Sequence, residues 1–266
     1  MSGLTACVRG IGVLGPGLPD WPTTAAVLRA ATPYVPSTTV LPAPAVLPAA
    51  ERRRAGRIIK LALAVGAEAV AHAGVDAREL STVFSSSGGD GDNCHEICMT
   101  LASEDRQISP TRFHNSVHNA AAGYWSIAYG CTLPATSLCA NDASFGAGLL
   151  EAMTRLACGA DSILLLAYDA DYPQPLRAVR AIPDAFGIGL LLSARRNDDG
   201  RSLARLDLDI VDERITSLRS TALEALRCSI PAARGLPLLE CLAHPRSATV
   251  VLEYLDHARL SVRVSA

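Results

Sequence analysis

Lysine is nearly missing from this chain: Lys60 is the only one, and every other basic side chain is an arginine. Phosphate-cradling loops that end in a lysine are therefore excluded almost everywhere. Aromatic residues are also scarce, at 5%, so a core must be built mainly from Ala, Leu, Val and Ile. No strong charge of either sign is present. The formal net charge of −2 gives no field suited to polyanions, which excludes nucleic acid as an expected partner. The eight cysteines show no short regular spacing. They read as reduced thiols in apolar and helical runs of a cytoplasmic protein rather than as a disulfide framework. Long hydrophobic runs are missing as well. The most apolar stretch, 58–74, contains Lys60, Glu68 and His72 and is too short and polar for a membrane span. The N-terminal stretch lacks the basic-then-apolar pattern of a secretory signal.

What is present alternates strand and helix. "TACVRGIGVLG" reads as a buried strand, followed by a short helix near 21–30 and a Pro-rich extended connection over 33–48. Residues 49–74 give the longest helical pattern, led by Arg52, Arg53, Arg54 and Arg57 and stopped by Gly74. "STVFSSS" (81–87) reads as a strand, 92–104 as a helix, and the small-residue stretch 115–130 as a buried helix. "DSILLLAYDA" (161–170) is a fully apolar strand. The strands at 185–196 and 203–211 flank "NDDG", a hairpin signal. Helical patterns at 218–229 and 235–243 and two closing strands finish the chain. The order predicts an α/β fold, a mixed sheet covered by helices, with no second domain and no repeat.

Four motifs carry less than they suggest. Gly10, Gly12 and Gly15 match a dinucleotide fingerprint, but "PGLP" follows at once and no helix can open there. The glycines are expected to serve a strand end and turn. "SSSGGDGDN" (85–93) has no lysine, and Asp90 and Asp92 would repel phosphate, which leaves an Asp or Asn helix cap. "CHEIC" sets Cys94 and Cys98 on one helical face without the partner pair a structural zinc needs. His114 and His118, four apart, lack the glutamate of a zinc hydrolase helix and read as packing or interface residues. Neither a metal nor a cofactor is expected.

The stretch "SLCANDASFGAGLLEA" (137–152) runs from a strand through a small-residue turn into a helix. A nucleophile at such a junction profits from the helix N-terminus. Cys139 and Ser144 are both candidates, and close packing with Asp142 as a helix cap is the plain alternative.

Taken together, "STVFSSSGGD", "ISPTRFHNSVHNAAAGYWSIAYG" and "LPATSLCANDASFGAGLLEAM" resemble the N-terminal half of a β-ketoacyl synthase of the thiolase superfamily. Ile108-Ser109-Pro110, Asn119, Ala122, Gly123, Tyr129, Gly130 and Pro134 stand in the family's places. The resemblance runs from about residue 5 to about 211. It implies a thiolase-like fold, truncated relative to a full ketosynthase, as a single domain over 1–266: a thiolase-like half (1–211) and a short divergent C-terminal extension (212–266). It places the family's nucleophilic cysteine at Ser144, with Cys139 inside the preceding strand and packed. The family's two histidines, lysine and Gly-rich oxyanion loop have no counterparts downstream, where only His244 and His257 remain and no lysine follows. Condensation by this chain alone is not expected.

With "SVHNAAAGY" and the tail "ARGLPLLECLAHPRSATVVLEYL", the resemblance narrows to chain-length-factor-like partners of aryl polyene and xanthomonadin-type pigment biosynthesis. It implies a non-catalytic subunit that pairs with a catalytic β-ketoacyl synthase, meets an acyl carrier protein through the complex, and walls the acyl tunnel. Arg112, Phe113, His114, Val117 and His118 would line the tunnel and interface, with Phe113 and Val117 setting its depth by bulk. Thr136, Ser137, Leu138 and Cys139 would form the dimer strand, and a lone half-fold would leave that edge and the helix 115–130 bare. The alternatives are a stand-alone acyltransferase or thioesterase using Ser144 or Cys139 with His114 or His118 as base, and a homodimeric acyl-binding module.

Overall fold

The computed structural model of the chain describes residues 3–195, 202–244 and 246–265. The N-terminal part holds β1 (Leu4–Leu14), α1 (Trp21–Leu28), α2 (Ala49–Arg54), α3 (Arg57–Ala73), β2 (Ser81–Ser85), α4 (Gly91–Ala102), α5 (Pro110–His114), α6 (Ala120–Tyr129) and β3 (Ala135–Leu138). The chain continues with α7 (Ser144–Ala157), β4 (Ser162–Asp169), α8 (Leu176–Val179), β5 (Phe186–Ser193) and β6 (Ala204–Val211). It closes with α9 (Thr221–Ser229), α10 (Leu236–Ala243), β7 (Ala248–Leu255) and β8 (Ala258–Ser265).

All eight strands form one sheet, ordered β3-β2-β4-β5-β1-β6-β8-β7. β2 runs parallel to β3 and β4, and every other pairing is antiparallel. β4 and β5 are buried along nearly their whole length, as apolar runs covered on both faces must be. One face is packed by α3 and α6, the other by α1, α7, α9 and α10. The mixed, helix-covered sheet expected from the sequence is present.

Three local expectations need correction. The strands at 186–193 and 204–211 are not a hairpin, because β1 lies between them and pairs with both. The "NDDG" turn itself lies outside the described residues. Apolar periodicity identifies strands but does not say which strand lies beside which. The helical pattern 49–74 is two helices, since Ala55 is extended and Gly56 precedes the first residue of α3. Its end is as read: Gly74 takes the left-handed conformation at φ 66°.

Gly10 and Gly12 are not at a strand end. They lie inside β1, and a Cβ on either would collide with the backbone of α3, at the Ala69 and Val65 carbonyls. Gly12 sits opposite Gly189 of β5, where a Cβ would meet the same Val65 carbonyl. The glycines form a groove that lets α3 lie close against the sheet. Only Gly15 serves a turn, in a bridge to Leu18.

Candidate functional site

The turn after β3 is built to hold a helix start tightly. Asn141 has a left-handed φ of 51°, and a 3-10 turn over Asn141–Ala143 leads into α7. Ser144 is 1% exposed. Its Oγ donates to the Asn141 carbonyl at 2.7 Å and accepts from the Ala140 amide at 3.1 Å. The one hydroxyl proton is therefore committed to the turn. The Ser144 carbonyl in turn accepts from Ser85 Oγ at 2.6 Å.

Asp142 does not cap α7, which has no side-chain cap. It pairs with Arg180 at 2.7 Å and Arg234 at 3.2 Å. Arg234 reaches Glu253 at 2.9 Å, Glu253 also pairs with buried Arg227, and Arg227 holds Glu224 at 2.7 Å. The Arg227 guanidinium keeps the Glu224 carboxyl down to about 2. This chain of charges ties the turn to α9 and β7 of the C-terminal segment. The backbone packs there too: a Cβ on Gly146 would collide with the Glu253 carbonyl.

Cys139 departs from expectation. It lies one residue beyond β3, is exposed rather than packed, and its Sγ donates to the Ser87 carbonyl at 3.0 Å. Among the described residues no histidine hydrogen-bonds Ser144 or Cys139. His118 Nε2 is 3.0 Å from the Leu138 carbonyl, and His114 stands edge-on to Tyr124 with centroids 6.4 Å apart. His244 Nδ1 lies against the Glu240 carbonyl at 2.8 Å, and His257 is exposed beyond β7. In "CHEIC", Cys94 and Cys98 are both exposed on α4. Among the described residues no group of three or more His, Cys, Asp or Glu side chains could hold a metal ion. Asp90 caps α4, as read, accepting from the Asn93 amide at 3.0 Å, and burial raises its pKa.

Of the tunnel and interface candidates, Phe113, His114 and Val117 share one depression, while Arg112 and His118 lie outside it. Phe113 is 69% and Val117 53% exposed. With Pro110, His114, Asn119, Ala120 and Gly123 they line an open depression of about 550 Å³. Arg112 pairs with Glu96 of α4 at 3.3 Å. Asn93 is the only buried residue of α4, which leaves Met99 and Leu101 in solvent. Helix 115–130 is shorter than read, and only partly bare. Its Tyr124 and Trp125 are buried in the α3 face of the core, while Ile127 is exposed. β3, carrying Thr136, Ser137 and Leu138, is an edge strand with β2 on one side only.

The Beta-ketoacyl synthase, N-terminal domain family matches residues 27–248. The chain belongs to the β-ketoacyl synthase family. No curated protein matches it. Among solved structures, a ketosynthase (ApeO) in complex with its chain length factor (ApeC) from Xenorhabdus doucetiae is 22% identical with TM-score 0.72, over 97% of this chain and 99% of that one. The ishigamide ketosynthase/chain length factor is 16% identical with TM-score 0.72, over 98% and 99%. A type II polyketide synthase ketosynthase with its acyl-carrier protein (AntDE:AntF) is 10% identical with TM-score 0.78, over the full length of both chains. These likenesses establish the fold, thiolase-like and of the ketosynthase kind. The ketosynthase from module 1 of the bacillaene synthase of Bacillus amyloliquefaciens is longer: 79% of this chain covers only 46% of it, at 18% identity and TM-score 0.55. The present chain is truncated relative to such ketosynthases.

One feature of this β-ketoacyl synthase relative was missed in the sequence. Asp169, at the end of β4, is 3% exposed and accepts from Ser87 N at 2.8 Å, Ser87 Oγ at 2.7 Å, Ser86 Oγ at 3.3 Å and Ala232 N at 2.9 Å. Burial pushes its pKa up to about 6, against the pull of those donors. It joins the loop beside Cys139 to the C-terminal segment. The available signal was a carboxylate closing an otherwise apolar strand.

Proposed function

We propose that this chain is a non-catalytic, chain-length-factor-like subunit that pairs with a catalytic β-ketoacyl synthase and shapes its acyl tunnel. The pathway is of the type II polyketide or fatty-acid-like kind, of aryl polyene type, in the cytoplasm. The partner takes acyl groups from an acyl carrier protein and condenses them. The chain acts as one domain over 1–266, in which 212–266 widens the sheet by β7 and β8.

The observation that carries the reading is Ser144. A nucleophile must be reachable and must have a base for its proton; this hydroxyl is buried and bonded within its own turn. The apolar depression at Phe113 and Val117 and the open edge of β3 supply what a partner would cover. The ketosynthase and chain length factor complexes of the same fold fit that arrangement. In it, Phe113 and Val117 set product length by bulk, because a packed wall resists even one methylene.

Co-expression with the catalytic ketosynthase of the same gene neighbourhood tests the pairing. A stable hetero-oligomer is expected; a chain that remains monomeric or pairs only with itself contradicts it. A second reading rests on Cys139, whose exposed thiol could carry an acyl group in a stand-alone transferase or thioesterase. An acyl-thioester adduct on Cys139, seen by mass spectrometry of the chain alone, would favour it.

A further inference from the structure

Between the Pro-rich connection and α3 lies an apolar cleft of about 440 Å³ that shares no residue with the depression at Phe113. Leu63 and Ala64 of α3 line it on one side, and Val40, Pro42 and Val46 of the connection on the other. The connection is fixed at both ends. Thr39 donates through N to Asp184 and through Oγ1 to the Ala185 carbonyl, each at 2.8 Å. At the far end Arg52 donates to the Ala45 and Leu47 carbonyls at 3.1 and 3.0 Å, and Leu47 is buried. Yet Val40 is 81% and Val46 43% exposed. A strap held this firmly keeps two valines in water, and prolines limit its collapse onto the helix.

Two of the residues lining the cleft have polar side chains, Lys60 and Tyr129. Lys60, the only lysine of the chain, lines it half-buried, and its ammonium makes no hydrogen bond or ion pair to the described residues. Tyr129 lines the same space, and burial raises its pKa, so its hydroxyl stays neutral and able to donate. No acidic residue lines the cleft. An apolar slot with one unpaired cation and one hydroxyl donor is complementary to a single chemistry.

We propose that this cleft binds an aliphatic carboxylate, the alkyl chain along the valine and proline wall and the carboxylate on Lys60 and Tyr129. The proposal does not depend on pairing with a ketosynthase and is tested on the whole chain alone. Calorimetry with dodecanoate, below its micelle concentration, is compared with dodecan-1-ol and dodecyltrimethylammonium. Acetylation by an N-hydroxysuccinimide ester gives a second readout, because Lys60 is the only side-chain amine.

Dodecanoate is expected to bind saturably at one site and slow Lys60 acetylation, with dodecan-1-ol about tenfold weaker, the size of one charge-assisted contact. Lys60→Met should bring dodecanoate down to the level of the alcohol, and Lys60→Arg should retain it. Val40→Asp, on an exposed rim where folding is not at stake, should abolish dodecanoate binding and favour the ammonium. Equal binding of all three probes, absence of saturable binding, or undiminished dodecanoate affinity in Lys60→Met would overturn the proposal.

Discussion

The turn at residues 139–146 and the segment at 91–118 are opposites in physical state. The key polar groups of the turn are paired: Ser144 Oγ bonds its own backbone, Asp142 holds two arginines, and Glu253 of β7 anchors the charges behind it. The segment has the reverse character. Phe113, Val117, Met99 and Leu101 stand in water, and α4 buries one residue. A hydroxyl that must react needs spare hydrogen-bonding capacity, and Ser144 has none to give. A surface that must meet another protein needs unspent apolar area, and the segment has it in excess. The turn is a structural joint, and the unspent apolar area lies on the segment; the proposed non-catalytic, partner-binding role draws on that difference.

That contrast predicts that mutations in the turn network cost stability and mutations in the segment cost association. The largest effect is expected at Glu253→Ala. It leaves Arg227 buried without a countercharge on one side, and urea denaturation should show a loss of about 3 kcal/mol. Ser144→Ala removes two hydrogen bonds inside the turn and should cost about 1–2 kcal/mol by the same method. It should leave condensation by the paired complex unchanged.

Asp169→Asn tests the buried carboxylate behind the turn. A folded pKa of about 6 lies above an unfolded value of about 3.9. The group's contribution to stability is thus fully present below the unfolded value and is lost as pH rises through 6. The wild-type chain should lose stability between those pH values, and the Asn variant should show a flatter profile there. A wild-type profile that rises through pH 6 would show that the donors at Ser87 and Ala232 outweigh burial.

Phe113→Ala is expected to have the smallest effect on folding, within about 0.5 kcal/mol, as for other exposed sites. In the complex it should lengthen the product distribution. An unchanged distribution removes Phe113 from the tunnel wall. A large stability loss at Phe113, or none at Glu253, would dissolve the contrast between the two regions.

Much of this was readable in the chain. The strand-to-helix turn and the Asp90 cap follow from local pattern, which is what periodicity and capping residues report, whereas the edge position of "ATSL" came from the family resemblance. Three things were not readable. The hairpin reading of 186–211 failed because β1 inserts between two strands that are consecutive in sequence. Asp142 resembled a helix cap because it precedes α7, whereas its partners, Arg180 and Arg234, come from distant segments. Gly10 and Gly12 looked like a turn because the helix that needs their missing side chains begins some forty residues later, at Arg57. Long-range closeness, not local propensity, decided each of these.

The most direct test of the central claim is intact-mass spectrometry of the co-purified hetero-oligomer after incubation with an acyl carrier protein thioester. The account predicts an acyl adduct on the catalytic partner and none on this chain. Stoichiometric acylation of this chain at Ser144 or Cys139 would contradict it.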